Sequence, residues 1–274
     1  MPSLVTVAIV SVAAAAASVA IAAPQSERGA MDKAVAATTR TPANVARDAH
    51  RHPADTLAFF GVKPTDTVVE IWPSGGWYTE ILAPYTAAKG SYWGVGVWPK
   101  GLDGMRALQA KDAASYGKIK LAAFPADPAD TAAPHVPHGS ADVVLTFRNV
   151  HNWRMGYQRG GVDYSGDAFK QMFAMLKPGG TLGVVDHRLP ESASNERETS
   201  SGYVKVSTVR KLAEDAGFVF DSASEVNANP KDSADWPDGV WTLPPSYRLK
   251  DVDRAKYAAI GESDRMTLKF RKPK

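Results

Sequence analysis

Apolar and polar positions follow two rhythms along this chain, and the rhythms take turns. Short apolar runs of strand length lie at 66–71 (DTVVEI), 91–98 (SYWGVGVW), 118–124 (KIKLAAF) and 141–150 (ADVVLTFRNV). Three more follow at 181–187 (TLGVVDH), 219–226 (VFDSASEV) and 264–272 (DRMTLKFRK), the last one alternating. Between them, apolar residues recur at helical spacing over 77–86, 101–117, 166–180 and 205–218. In the third of these helices Phe169, Met172, Phe173 and Leu176 share a face, and KPGG stops it. Residues 42–61 predict two short helices interrupted at Pro53. Strands alternating with helices predict an α/β, doubly wound fold around a mostly parallel sheet.

The first 25 residues break this pattern. They are apolar and alanine-rich, with no charge before Glu27. Ala20 and Ala22 form an A-x-A-like site, so a secretory signal peptide over 1–23 is expected, although no Lys or Arg precedes its apolar run. An uncleaved membrane anchor is the alternative; after cleavage no stable membrane insertion is expected. Residues 24–41 are small, polar and Ala/Thr-rich, and predict a flexible linker with a helical patch near 31–37. One domain then runs over 42–274.

Composition excludes several chemistries. The chain has 274 residues and no cysteine, which removes disulfides, thiolate zinc sites, cysteine nucleophiles and lipid attachment through cysteine. A cysteine-free chain suits an oxidising compartment, here periplasmic or secreted. The net charge of +3, with no basic run interleaved with aromatics, gives no footprint for nucleic acid. His50 with His52, and His135 with His138, lack acidic partners at ligand spacing, so no metal is expected. A Gly-x-Ser-x-Gly nucleophile elbow is absent.

Chemistry concentrates where strands end. VVEIWPSGGWYTEIL at 68–82 reads as a strand closed by Glu70, a turn with Gly75 and Gly76, and a helix whose free N–H groups face the turn. GSADVVLTFRNVHNW at 139–153 places Asn149, His151 and Asn152 just past a strand, and in MLKPGGTLGVVDHR at 175–188 Asp186, His187 and Arg188 end the next strand. These three stretches, in this order, resemble class I S-adenosylmethionine-dependent methyltransferases. The turn, with 227–248 and 260–270, is similar to a bacterial group of exported, predicted methyltransferases.

The resemblance implies a seven-stranded sheet with the last strand antiparallel, S-adenosylmethionine as cofactor, and a cofactor site at Glu70, Trp72, Ser74, Gly75, Gly76 and Trp98. The family places glycines two, four and six residues after the acid; here Trp72, Ser74 and Gly76 stand there. Trp72 either walls the pocket or fills it. Trp98 flanks the adenine or is a core aromatic, and Glu70 on its own reads equally as an acid capping a helix. For catalysis His151 is a candidate general base, with Asn149, Asn152, His187 and Arg188 beside it. Arg188 either clamps an anionic substrate or pairs with a nearby acid. The long segment 227–263 is expected to form a lid, with Asn227, Asn229, Trp236 and Trp241 near the substrate. The function expected is methyl transfer to a small-molecule or cell-envelope acceptor. The alternatives are an exported binding protein on the same fold, or a cytoplasmic enzyme with a misassigned start.

Overall fold

The computed structural model describes residues 27–127 and 129–274; the expected signal peptide at 1–23 lies outside them. Five parallel strands form most of the sheet: β1 (Thr67–Ile71), β2 (Ser91–Gly96), β3 (Lys120–Ala123), β4 (Ala141–Phe147) and β5 (Leu176–Leu189). The two-residue β6 (Val204–Lys205) pairs with the end of β5. β7 (Val219–Ser224) and β8 (Arg265–Arg271) complete the other side, with β8 antiparallel to both β5 and β7. The order is β3-β2-β1-β4-β5-β8-β7. The chain steps outward from β1 to β3, then returns to β4 on the far side of β1. That reversal opens a crevice beyond the carboxyl ends of β1 and β4.

Helices cover both faces because the central strands are apolar on both. In β1, Val68 faces one core while Val69 and Ile71 face the other. The first core takes Leu57 and Phe60 from α4 (Pro53–Phe60), Ile81 and Leu82 from α5 (Thr79–Thr86), and Met105 and Leu108 from α6 (Asp103–Lys111). The second takes Trp153 from α8 (Val150–Arg154), Phe169 and Met172 from α9 (Ser165–Met175), and Val209 and Ala213 from α10 (Val206–Asp215). Among the described residues no helix is long and apolar enough to cross a membrane.

Several expected boundaries shift for local reasons. The helix expected over 101–117 divides at Asp112, whose carboxylate accepts the Ser115 N–H (3.1 Å) and so starts a new turn, α7 (Ala113–Tyr116). KPGG does stop α9, but it then bulges beside the sheet. Gly179 adopts φ +79°, its N–H donates to the Lys272 carbonyl (2.9 Å), and Lys272 N–H donates to Gly180 (3.0 Å). Residues 42–60 make three helical pieces rather than two: α2 (Pro42–Val45), α3 (Asp48–Arg51) and α4.

The expected flexible linker is a correction. Residues 27–35 are helical and form α1. Met31 is buried in the same core as Leu57 and Phe60. The Arg40 guanidinium pairs with both oxygens of Asp48 (2.6 and 2.8 Å) and lies 5.4 Å from the centre of the Trp77 ring. Thr41 then donates through its N–H and hydroxyl to Glu80. One apolar anchor and two polar ones dock a segment whose composition reads as a spacer.

Candidate active site

The crevice beyond β1 and β4 holds a cavity of about 620 Å³. Its floor is made of strand ends, and its roof comes from the segment over 227–263. Glu70 projects from β1 and is buried between two hydroxyls. Tyr92 donates to its Oε2 at 2.5 Å and Thr79 at 3.2 Å. Burial outweighs these bonds and pushes its carboxyl up to about 7.

The turn after β1 carries its glycine-like backbone on side-chain-bearing residues. Trp72 has φ +52° and Ser74 has φ +51°, a region that glycine enters freely and other residues enter at a cost. The Trp72 indole N–H donates to the Phe124 carbonyl at the end of β3 (3.0 Å), and the ring meets Trp153 and Tyr157 edge-on. Trp72 thus lies along the strand ends as a wall. On its other side a second cavity of about 590 Å³ is lined by Val97, Trp98, Lys100 and Gln158. Trp72, Ser74 and Tyr157 border both cavities. Gly75 and Gly76 border neither. A Cβ on Gly76 would fall 2.5 Å from Leu108 and 3.0 Å from Met105, so this glycine lets α6 pack against the turn.

Past β4 and β5 the chain assembles a proton-handling group. The Asp186 carboxylate is fully buried and accepts two backbone N–H bonds, from His151 (3.2 Å) and His187 (2.7 Å). His151 Nδ1 is 2.7 Å from Asp186 Oδ1. Because Asp186 acts as an acceptor throughout, Nδ1 of His151 donates to it, and Nε2 is the ring nitrogen left without a protein partner among the described residues. His187 Nδ1 is bonded to the Ser263 hydroxyl. Burial, then His151, then Arg148, push His187 well below the usual histidine range, so it is neutral. Both rings border the large cavity, with centres 5.0 Å apart. His151, Asp186 and His187 are the one metal-like cluster among the described residues. The Asp186 oxygens are already engaged by N–H donors, and a hydrogen-bonded pair accounts for the geometry.

A cationic wall faces this group. Arg51 from α3, Arg148 from the end of β4 and Arg248 from the roof all border the cavity, and among the described residues Glu70 is its one acidic lining residue. Burial, then the charge of Arg148, push the Arg51 guanidinium down to about 8. Burial also pushes Arg148 down, to about 10.

The structure brings Glu70, Trp72, Ser74, Asn149, His151, Asn152 and His187 to the large cavity and Trp98 to the adjoining one. Asn149 donates to the Ile71 carbonyl (2.9 Å) and Thr146 (3.1 Å), tying β1 to β4. Arg188 is a correction. It forms paired bonds with Asp264 and Glu225 outside the cavity, because β8 brings Asp264 alongside it. The segment over 227–263 is corrected in part. Trp241 reaches the cavity, but the other three candidates brace the segment's base. Asn227 bonds Thr56 and Thr267, Asn229 bonds the Ile260 and Glu262 carbonyls, and Trp236 bonds Asp232. Sequence reasoning missed Arg51, Arg148 and Tyr157 as lining residues. Arg148 alone carried a local signal, its place just after a strand.

The donor set fits a cationic nucleoside such as S-adenosylmethionine. Glu70, when ionised, is the acid that faces this space, and the Trp98 and Tyr157 rings suit a flat base. A ligand using both cavities crosses the Trp72–Ser74–Tyr157 rim.

No protein-family model matches the sequence, and no curated protein matches it. Solved structures do match in fold. A methyltransferase dependent on S-adenosylmethionine from Aquifex aeolicus superposes with TM-score 0.54 at 14% identity, over 82% of this chain and 92% of that one. The [4+2]-cyclase SpnF superposes with TM-score 0.55 at 13% identity, over 82% of this chain and 81% of that one. The chain therefore has the Rossmann-like fold of class I methyltransferases. A cyclase on the same fold means that the reaction must be argued from the site.

Proposed function

We propose that this protein is an exported S-adenosylmethionine-dependent methyltransferase acting on a small-molecule or cell-envelope acceptor. The observation that carries this reading is the Asp186–His151 pair, with Nε2 of His151 free, in the same cavity as Glu70. The cofactor supplies a methyl group already activated on a sulfonium. What the chain must do is position an acceptor and take its proton. His151 takes that proton at Nε2, Asp186 holds the ring and offsets the charge it gains, and neutral His187 keeps a competing cation away. Glu70, Ser74 and Trp98 are the residues placed to hold the cofactor.

Calorimetric titration of the purified protein with S-adenosylmethionine tests the reading, and no heat at millimolar cofactor would sink it. The Trp72 wall favours a second reading, a binding protein without transfer activity. Cofactor binding without methyl consumption across a panel of acceptors would select it. Export rests on the apolar, A-x-A-bearing sequence over 1–23. Cell fractionation tests it, and protein found only in the cytoplasm contradicts it.

A further inference from the structure

The arginines around the large cavity outnumber the acids available to them. Glu262 is a single, nearly buried carboxylate, and three arginines bond it: Arg47 (2.7 Å), Arg51 (3.1 Å) and Arg265 (3.0 Å). Arg148 adds a fourth cation to the same field, since its charge is felt by Arg51, Tyr78 and His187. Among the described residues, Arg148 has no ion pair and no side-chain hydrogen bond. Orphaned donors accompany this excess. One terminal nitrogen each on Arg47 and Arg51, and Nε of Arg265, are buried without a partner. Buried cations and unbonded donors are costly, and folds keep them where something compensates them.

Glu262 and Asp186 favour the Arg148 cation by their charge but neither bonds it, so its donors keep no protein partner among the described residues. Among the described residues Glu70 is the only acid lining the cavity, and its carboxyl is already engaged by Tyr92 and Thr79. Arg51 and Arg148 border the cavity directly, and Arg248 approaches from the roof, its guanidinium 4.4 Å from the centre of the Trp241 ring. Arg248 has only a 4.0 Å approach to Asp238. Guanidinium groups match oxyanions through paired N–H bonds. S-adenosylmethionine adds to the charge problem, because with sulfonium, ammonium and carboxylate it carries a net positive charge. Arg51 shares Glu262 with two other arginines, so a bound cation beside Arg148 and Arg248 leaves positive charge that an added anion would offset.

We propose that the large cavity binds a small-molecule acceptor through an oxyanion group, held by Arg148 and Arg51 and covered by Arg248. Naming this anion as the methyl acceptor rests on the methyltransferase reading; the oxyanion site does not. The anion sits at the arginine wall, and the atom to be methylated faces His151. An oxyanion has a second source in the cofactor's own carboxylate, and the test must separate the two.

The probes are sodium phosphate and disodium succinate, titrated by calorimetry into the purified protein with and without saturating S-adenosylmethionine. At least one anion binds the wild type, and Arg148→Gln weakens it about tenfold or more. Arg210→Gln, which removes a cation on α10 paired with Glu214 (3.6 Å), leaves anion affinity unchanged. Binding persists when S-adenosylmethionine is present. The Arg148 side chain has no partner to lose, so its variant folds, which a thermal melt verifies. Absence of binding by both probes, or equal binding by wild type and Arg148→Gln, overturns the proposal. So does displacement of the anion by S-adenosylmethionine, which assigns the arginines to the cofactor's carboxylate. Arg148-dependent anion binding with no S-adenosylmethionine binding supports the oxyanion site and sinks the methyltransferase reading.

Discussion

Glu70 makes stability depend on pH in a direction opposite to most carboxylates. Its carboxyl lies between Tyr92 and Thr79 at the end of β1, and burial raises it from 4.5 to about 7. The folded state therefore holds this proton more tightly than the unfolded chain does. Stability falls as pH rises from about 4.5 to about 7, then levels off, because above that range both states are ionised. The difference of roughly 2.5 units corresponds to about 3 kcal/mol at pH 8, with about 2 kcal/mol already lost at pH 6. Glu70→Gln keeps an oxygen acceptor for both hydroxyls and removes the titration. Urea denaturation of wild type and variant at pH 4.5, 6 and 8 gives the difference directly. The variant should gain about 3 kcal/mol on the wild type between the two ends of this series. A difference that stays flat with pH would refute the reasoning, because Glu70 would then titrate like an exposed acid.

Asp186→Asn should leave a folded protein that has lost about 10²- to 10⁴-fold in transfer rate, since His151 loses the acceptor that fixes its tautomer. Single-turnover kinetics with an identified acceptor checks this, and an unchanged rate removes His151 from the chemistry. Met31→Ala should cost about 2–5 kcal/mol, as expected for a core methionine. A urea midpoint equal to that of the wild type would return the segment over 27–41 to the status of a spacer.

The sheet was legible because its strands are apolar on both faces and its helices on one. Val68, Val69 and Ile71 make an apolar run broken only by Glu70, and Phe169 and Met172 recur at helical spacing. The segment over 27–41 was not legible for a matching reason. Met31 is its one fully buried apolar residue, with Ala30, Ala34 and Val35 only partly buried beside it, and Arg40 and Thr41 are held by Asp48 and Glu80. Neither periodicity nor composition records a contact made by one residue with another eight or thirty-nine positions away. The same limit explains Arg188. Its position two residues after Asp186 pointed to the crevice, but the antiparallel β8 delivers Asp264 to its side, and a paired guanidinium does not serve a ligand.

The site itself was legible as loops and illegible as charges. His151 and His187 could be found because one follows a strand and the other lies among the last residues of a strand, both at the edge that borders the crevice. Arg51 could not, because α3 lies well before β1 in sequence and only the packing of 42–60 brings it over the cavity. Trp72 shows how the two kinds of information combine. In sequence it stands where the resemblance expects glycine. In the structure it keeps a glycine's positive φ and spends its side chain as a wall between two cavities. The backbone path of the turn is thus preserved while the space beside it is divided. With tryptophan, the arginine-lined half becomes a chamber of its own, bordered by His151 and roofed by Trp241. In the proposed reading that division would keep an anion in the first cavity apart from a flat base in the second, while the path of the turn is retained.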